Sequence, residues 1–184
     1  MANSDGALII RAAHFAADKH RMQRRKDADA SPYINHPLAL AHILASEGGV
    51  TDRDVLIAAL LHDTVEDTET TAEVLEREFG PKVASIVSEV TDDKSLPKEE
   101  RKRLQVAKAA SKSREAKLVK LADKISNLRD IAAAPPHDWS LERREAYFHW
   151  AKKVVDGLRG VNPALEAIFD KTYEQGLRSI RAAA

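Results

Sequence analysis

Residues 62–68, with the sequence His-Asp-Thr-Val-Glu-Asp-Thr, follow an apolar run and place an imidazole and three carboxylates within about two helical turns. An unpaired charge in an apolar interior costs free energy or shifts its pKa until the group is neutral. A bound cation removes this cost, because it stabilises Asp63 as an anion and uses neutral His62 as a ligand. The segment is therefore interpreted first as half of a metal site.

Two further positions could complete such a site. His36 begins one predicted helix, and Asp123 lies in another, over residues 114–133. Lys120 and Asn127 share the face of Asp123, and three polar side chains on one face favour a polar cavity over an apolar neighbour. Two imidazoles and two carboxylates suit a divalent ion such as Mn²⁺, Fe²⁺, Zn²⁺ or Ni²⁺, since Ca²⁺ prefers more oxygen ligands and Mg²⁺ fewer nitrogens.

Two acids follow directly on this cluster. Glu66 and Asp67 come three and four residues after Asp63, so they project over the same face of the predicted helix or over its end. A divalent ion lowers the pKa of bound water and polarises a phosphoryl oxygen. Either acid could orient or deprotonate an attacking water, or return a proton to the leaving oxygen.

Helical patterns must position these residues, and the alternation typical of strands is missing. Helices are predicted near residues 7–17, 37–47, 52–66, 71–79, 82–91, after Pro97, 114–133, 140–158 and from Asn162 onward. The expected N-caps are Asp5, Thr51, Thr70, Ser113 and Ser140. We predict an all-α fold, a single helical bundle of about eight to ten helices.

Composition narrows the possible functions. The length of 184 residues favours one domain over residues 1–184. With 29 basic and 29 acidic residues and no cysteine, the chain has neither thiolate ligands nor a net charge that would attract nucleic acid or a membrane surface. No signal-peptide pattern is present and no apolar run approaches roughly 18 residues, so we expect a cytoplasmic protein.

Three motifs occur in order: residues 33–37 (Tyr-Ile-Asn-His-Pro), residues 62–68 and residues 121–128 (Leu-Ala-Asp-Lys-Ile-Ser-Asn-Leu). This pattern of a His, a His-Asp doublet and a distant Asp resembles the HD-domain metal-dependent phosphohydrolases. The motifs also resemble the hydrolase domain of the SpoT/RelA alarmone enzymes. Residues 24–27 (Arg-Arg-Lys-Asp) and 147–151 (Tyr-Phe-His-Trp-Ala) look most like the small alarmone hydrolases, a group that includes the metazoan SpoT homologue.

The resemblance implies a role for each matching residue. The implied metal ligands are His36, His62, Asp63 and Asp123, with Mn²⁺ as the ion. The implied water-activating acids are Glu66 and Asp67, and the implied nucleotide contacts are Arg25, Lys26, Lys98, Asn127 and Tyr147. The implied reaction, in the stringent response, is hydrolysis of the 3′-pyrophosphate of guanosine tetra- or pentaphosphate to GDP or GTP and pyrophosphate.

Alternatives stay open at this point. The substrate could be another nucleotide with a ribose 2′- or 3′-phosphate, such as NADPH, or the protein could be a non-catalytic nucleotide sensor. Tyr147 could pack in the core instead of contacting a nucleotide, and we expect Trp139 and Trp150 in the core. The loop of residues 27–31 lacks the glycine that the similar enzymes often have there, which bears on its geometry.

Overall fold

The structure is a computed structural model that describes residues 4–182. Its helices, in chain order, are α1 (Asp5–Lys19), α2 (Asn35–His42), α3 (Arg53–Leu61), α4 (Thr64–Asp67), α5 (Ala72–Phe79), α6 (Pro81–Val90), α7 (Lys98–Lys108), α8 (Arg114–Ala133), α9 (Leu141–Asp156) and α10 (Pro163–Ala182). Within these residues, β pairing is limited to one bridge between Arg24 and Pro32. The all-α prediction is confirmed.

Three predicted N-caps are wrong by one residue. The caps are Ser4 instead of Asp5, Asp52 instead of Thr51, and Thr71 instead of Thr70. In each case the capping residue has an extended backbone and its side chain accepts a hydrogen bond from an N–H in the first turn, which the neighbouring residue cannot do from its own position. The predicted caps Ser113 and Ser140 are confirmed.

The predicted continuous helix over residues 52–66 is also wrong, because the chain turns between α3 and α4. Helix α3 ends at Leu61, and α4 begins at Thr64. The Thr64 hydroxyl donates to the Leu61 carbonyl at 2.7 Å, which stabilises the turn. His62 and Asp63 therefore lie in the turn and not within a helix, and their side chains lie 2.9 Å apart.

Helix α2 begins before Pro37 and ends in a wider turn than predicted. Residues Ile43–Glu47 form a π-helical turn, a local widening that is frequent near functional sites. Gly48 follows, and a Cβ there would lie 2.8 Å from the side chain of Leu165, so a larger residue would push α10 away. The chain then reverses through Gly49 at φ +62°.

Two helices form the centre of the molecule. Every residue of α3 from Val55 to Leu61 is buried, and α3 packs against α1, α2, α6 and α8. Helix α8 contacts α2, α6, α9 and α10 as well, yet it carries buried polar residues: Lys120, Asp123, Lys124 and Ser126. Buried polar groups need partners, so this face of α8 marks the site.

Helix α7 differs from the rest, because none of its residues is buried and it packs mainly on α9. None of the helices in residues 4–182 combines the length and the apolar character that a membrane crossing requires.

Candidate active site

Three buried side chains from distant parts of the chain meet at the centre of the molecule. His36 comes from α2, His62 from the turn after α3, and Asp123 from α8, and one potential ligand atom of each lies within 4.8 Å of the other two. The Nε2 atom of His36 lies 3.3 Å from an Asp123 oxygen. Two ligands of one ion, each roughly 2 Å from it, lie about 3 Å apart. The spacing fits a shared metal ion.

Hydrogen bonds orient both imidazoles toward this point. The Nδ1 atom of His62 lies 2.8 Å from the Ala59 carbonyl, to which it donates, so Nε2 of the neutral ring carries the lone pair. Nδ1 of His36 lies 3.3 Å from the Ser126 hydroxyl. Such partners on the far nitrogen are what fixes the ring of a metal-binding histidine. Both Nε2 atoms are therefore available as ligands.

Asp63 adds a second carboxylate beside the histidines. Its Oδ2 lies 2.9 Å from Nε2 of His62 and 4.0 Å from Nε2 of His36. Nevertheless, Nε2 of His62 is buried without a hydrogen-bond partner, because that close approach lacks hydrogen-bond geometry. A buried imidazole nitrogen and a carboxylate that face each other without bonding fit a cation between them. The Tyr33 hydroxyl donates to the same Asp63 oxygen at 2.5 Å.

The charges of the cluster are matched by neighbouring groups. Burial would raise the pKa of Asp123, but the ammonium of Lys124 and the imidazole of His36 outweigh burial and hold that pKa well below its ordinary value. Burial likewise opposes ionisation of Asp63, yet His62 and His36 lower its pKa. Burial lowers the pKa of His62, but the Asp63 carboxylate outweighs it and raises that pKa. Both aspartates are anions, as cation ligands must be.

The two carboxylate oxygens of Asp123 accept hydrogen bonds from different donors. Oδ1, the oxygen near His36, accepts a hydrogen bond from the Asn127 amide at 2.7 Å, and Oδ2 accepts one from Lys124 at 3.0 Å. The Lys124 ammonium also lies 4.4 Å from the centre of the Trp150 ring. Lys124 and Asn127 together hold one oxygen of Asp123 toward the imidazoles.

Glu66 and Asp67, the two predicted acids, point in different directions from α4. The Glu66 carboxylate accepts a hydrogen bond from the Asp92 backbone N–H at 3.0 Å and is largely buried. Asp67 forms an ion pair with Lys94, lies 3.4 Å from the Tyr33 hydroxyl and lines a cavity. Of these two acids, Asp67 lines the cavity and Glu66 does not.

This cavity, of about 600 Å³, opens beside the metal-ligand cluster and is lined by His36, Asp67 and Asn127 among others. We call its basic edge, formed by Arg24, Arg25 and Lys26, the rim. The rim supplies guanidinium and ammonium groups, which suit phosphate oxygens. The structure thus combines a candidate metal site with a candidate phosphate-binding cavity.

The predicted nucleotide contacts are distributed unevenly around the cavity. Arg25, Lys26, Asn127 and Tyr147 line it. Lys98 does not appear in the lining; it lies on α7, where partial burial and the nearby cations Lys102, Arg143 and Lys26 lower its pKa. Tyr147 also packs between Trp139 and Trp150, with ring centres 5.6 and 5.1 Å away. For Tyr147, packing and exposure to the cavity coexist.

Some residues at the site were missed from sequence. Tyr33 bridges Asp63 and the cavity; its position one turn before His36 in the first motif was the available signal. Trp139, expected in the core, lines the cavity. Asp130, which binds Arg25 at 2.5 Å, carried no signal beyond helical spacing.

The loop of residues 27–31, which lacks the glycine common in similar enzymes, contains one residue in a conformation that favours glycine. Ala30 adopts a left-handed conformation at φ +46°, which is strained for a residue with a Cβ. Asp27 holds the loop by accepting hydrogen bonds from the backbone and hydroxyl of Ser31. The loop therefore keeps its turn without glycine.

Comparison with known proteins finds relatives that are named as hydrolases. The protein named guanosine-3′,5′-bis(diphosphate) 3′-pyrophosphohydrolase MESH1 is 59% identical in Xenopus tropicalis, covering 95% of this chain and 98% of that protein. The human protein of this name is 56% identical, covering 94% of this chain and 96% of its own length. In Aquifex aeolicus, a guanosine-3′,5′-bis(diphosphate) 3′-pyrophosphohydrolase is 41% identical over 67% of this chain but only 18% of its own length.

Solved structures extend the similarity to the fold. A metazoan orthologue of SpoT that hydrolyses ppGpp superposes with a TM-score of 0.90 at 53% identity, covering 96% of this chain and 99% of that one. A Listeria monocytogenes protein superposes with a TM-score of 0.64 at 32% identity over 81% of this chain and 97% of that one. The HD domain family model matches residues 12–152, a range that includes all four candidate metal ligands. The chain belongs to the HD-domain family.

Proposed function

We propose that this protein is a metal-dependent hydrolase that removes the 3′-pyrophosphate of guanosine tetra- or pentaphosphate, yielding GDP or GTP and pyrophosphate. The observation that carries the proposal is the buried cluster of His36, His62 and Asp123 beside a cavity with a basic rim. Relatives named for this activity are 53–59% identical over nearly the whole chain, which supports the same substrate. We propose that residues 1–184 act as one domain.

His36, His62, Asp63 and Asp123 would hold one divalent ion. Two imidazoles and two carboxylates suit Mn²⁺, Fe²⁺, Zn²⁺ or Ni²⁺ better than Ca²⁺ or Mg²⁺. Of these ions we propose Mn²⁺, the one that the resemblance to the alarmone hydrolases implies. Such an ion, when bound, lowers the pKa of a water molecule and polarises a phosphoryl oxygen. The aspartates are already anionic and both imidazoles present Nε2, so the protein's side chains need little rearrangement to serve as ligands.

The reaction requires two proton movements. The oxygen of a water molecule forms a bond to the phosphorus on the ribose O3′, the bond from that phosphorus to O3′ breaks, and O3′ gains a proton. Asp67, at the cavity wall, and Glu66, on the same short helix, take up the proton of the attacking water and return one to O3′. The two carboxylates have different surroundings, since Asp67 lines the cavity and Glu66 accepts the Asp92 backbone N–H, which suits this division.

The rim and the aromatic side of the cavity would hold the nucleotide. Arg25 and Lys26 would bind phosphate oxygens, with Lys98 approaching from α7. Arg25 presently bonds Asp130 at 2.5 Å and Asn127 at 3.3 Å, so a phosphate would replace an exposed carboxylate as its partner. Tyr147 offers its ring to the base or ribose.

The test is product identification with the purified protein and Mn²⁺. Guanosine tetraphosphate should yield pyrophosphate, a chelator should stop the release, and His62→Gln should abolish it. The matched control is His149→Gln, a substitution of an exposed histidine on α9, which should keep full activity. Orthophosphate release from NADPH, without pyrophosphate release from the alarmone, would indicate the alternative substrate. Binding of alarmone without turnover in the presence of Mn²⁺ would indicate a sensor and contradict the proposal.

A further inference from the structure

Glu66 contacts two groups of the segment that runs from Thr91 to the end of α7. Its Oε1 lies 3.7 Å from Nη1 of Arg101 on α7, and its Oε2 accepts the Asp92 backbone N–H at 3.0 Å. Both side chains of the ion pair are largely buried, with 17% of Glu66 and 26% of Arg101 exposed. The segment of residues 91–108 therefore holds both oxygens of a proposed catalytic carboxylate.

The charges around Glu66 show why it needs such a partner. Asp63, Asp67 and Asp92 all repel its ionised form, and burial disfavours that form as well. Within residues 4–182, Glu66 forms an ion pair with Arg101. Without a cation, a carboxylate among three others gains by taking up a proton or by rotating toward solvent. Arg101 opposes both outcomes, since its guanidinium lies 3.7 Å from the Glu66 carboxylate and attracts the anion.

Arg101 is itself held in place by neighbouring contacts. The Trp150 indole donates to the Lys102 carbonyl at 3.1 Å, which ties α7 to α9 at the next residue. Gln105, one turn further on, donates from its amide to the Asp92 carboxylate, which fixes the segment whose N–H binds Glu66. The Nε atom of Arg101 is buried and has no hydrogen-bond partner within residues 4–182, and the ion pair that its guanidinium forms there is with Glu66.

We propose that Arg101 is a positioning residue, which holds the Glu66 carboxylate in the orientation that proton transfer requires. This inference rests on the proposed hydrolase function. Through this ion pair α7, a helix without a fully buried residue, would position a catalytic group. Arg101 acts through Glu66 and touches neither the candidate metal ligands nor the recorded cavity wall.

The experiment compares Arg101→Gln with Arg103→Gln, which removes a neighbouring arginine that pairs with exposed Glu100 on the same helix. Arg101→Gln should lower kcat about tenfold with KM changed less than about twofold, as expected for loss of a partly buried charge-assisted contact. Arg101→Lys should recover most of the loss, because it keeps the charge. Arg103→Gln should match the parent in kcat, KM and melting temperature.

A double-mutant cycle separates positioning from general loss of structure. If Arg101 acts through Glu66, adding Arg101→Gln to Glu66→Gln should change kcat less than twofold beyond the effect of Glu66→Gln alone. Full additivity of the two effects would overturn the proposal, as would equal losses in the Arg101 and Arg103 variants.

A readout independent of turnover keeps the inference separate from the proposed function. In protein labelled with ¹³C at glutamate Cδ, the Glu66 signal is assigned by its loss in Glu66→Gln. Arg101→Gln should shift that signal and Arg103→Gln should leave it unchanged. An unshifted Glu66 signal would reject the ion pair. An inactive parent with a shifted signal would reject the hydrolase function and the catalytic role together, while the contact itself would stand.

Discussion

The metal-ligand cluster and the basic rim lie side by side, but their side chains are held in different ways. In the cluster, buried hydrogen bonds fix each ligand: the Ala59 carbonyl orients His62, and Lys124 holds Asp123. At the rim, Arg25 donates to the exposed carboxylate of Asp130 at 2.5 Å and, over the longer distance of 3.3 Å, to the Asn127 side chain. The cluster is therefore organised before any ligand binds, whereas the rim must exchange a partner.

This difference suits the two proposed roles, which are metal coordination in the cluster and nucleotide binding at the rim. A coordinated ion tolerates little variation in ligand position, so fixing the ligands in advance lowers the cost of binding and of reaction. A nucleotide with several charged phosphates must enter and leave, and exposed charge pairs are individually weak and easily exchanged. Changes in the cluster should thus have large effects, and changes at the rim graded ones.

The largest effect is expected from removing a ligand. Asp123→Ala should lower kcat at least about a hundredfold, because one carboxylate of the candidate metal site is lost together with the acceptor for Lys124 and Asn127. Mn²⁺ should raise the melting temperature of the parent but not of the variant, since a ligand stabilises the native state by mass action. Calorimetric titration of Mn²⁺ into both proteins measures the affinity directly; an unchanged affinity would remove Asp123 from the ligand set.

A smaller effect is expected from changing a residue that contacts a candidate metal ligand but is not itself a ligand. Tyr33→Phe removes only the hydroxyl that donates to Asp63 at 2.5 Å, and loss of such a partner typically weakens metal binding about tenfold. The matched control is Tyr173→Phe, which removes a hydroxyl that bonds exposed His149. Metal affinity and kcat should fall for Tyr33→Phe alone. Equal affinities in the two variants would show that the cluster does not depend on its buried hydrogen bonds.

The distinction between the buried cluster and the charged contacts around it also explains which residues could be predicted from the sequence. His36, His62, Asp63 and Asp123 stood out because their residue types and order are unusual for a core, and the structure brings them together. The turn at His62 and Asp63 was missed, since the core spacing of the preceding apolar residues predicts one continuous helix. The Thr64 hydroxyl, which donates to the Leu61 carbonyl, stabilises a turn there instead.

Contacts between charged residues that are distant in sequence carried no such signal. The pairing of Arg25 with Asp130 spans 105 residues, and that of Arg101 with Glu66 joins two segments whose charges look like ordinary surface composition. Charged residues at helical spacing are common on any solvated face. Their partners become visible only when the fold places α7 and the rim loop against the site.

At the rim, we expect an effect on binding rather than on chemistry. Arg25→Ala should raise KM for guanosine tetraphosphate about tenfold with little change in kcat, because it removes a phosphate-binding cation. Asp130→Asn should instead lower KM a few fold, since it frees Arg25 from its present partner. KM of Arg25→Ala should also respond less to added salt than KM of the parent does, because a charge that salt would screen is lost. A fall in kcat without a change in KM for Arg25→Ala would place Arg25 in the chemical step and remove the contrast with the cluster.

The smallest effect concerns stability and tests whether Glu66 belongs with the buried cluster or with the rim. Burial and the carboxylates of Asp92, Asp63 and Asp67 raise the pKa of Glu66, although the Asp92 N–H opposes them. A raised pKa in the folded state means that Glu66 contributes stability below its unfolded pKa of about 4.3, and that this contribution is lost as the pH rises through the folded value. Glu66→Gln stays neutral and escapes that loss. Its melting temperature relative to the parent should therefore rise as the pH increases above about 4.3. A pH-independent difference would mean that solvent screens Glu66 as it does the charges of the rim.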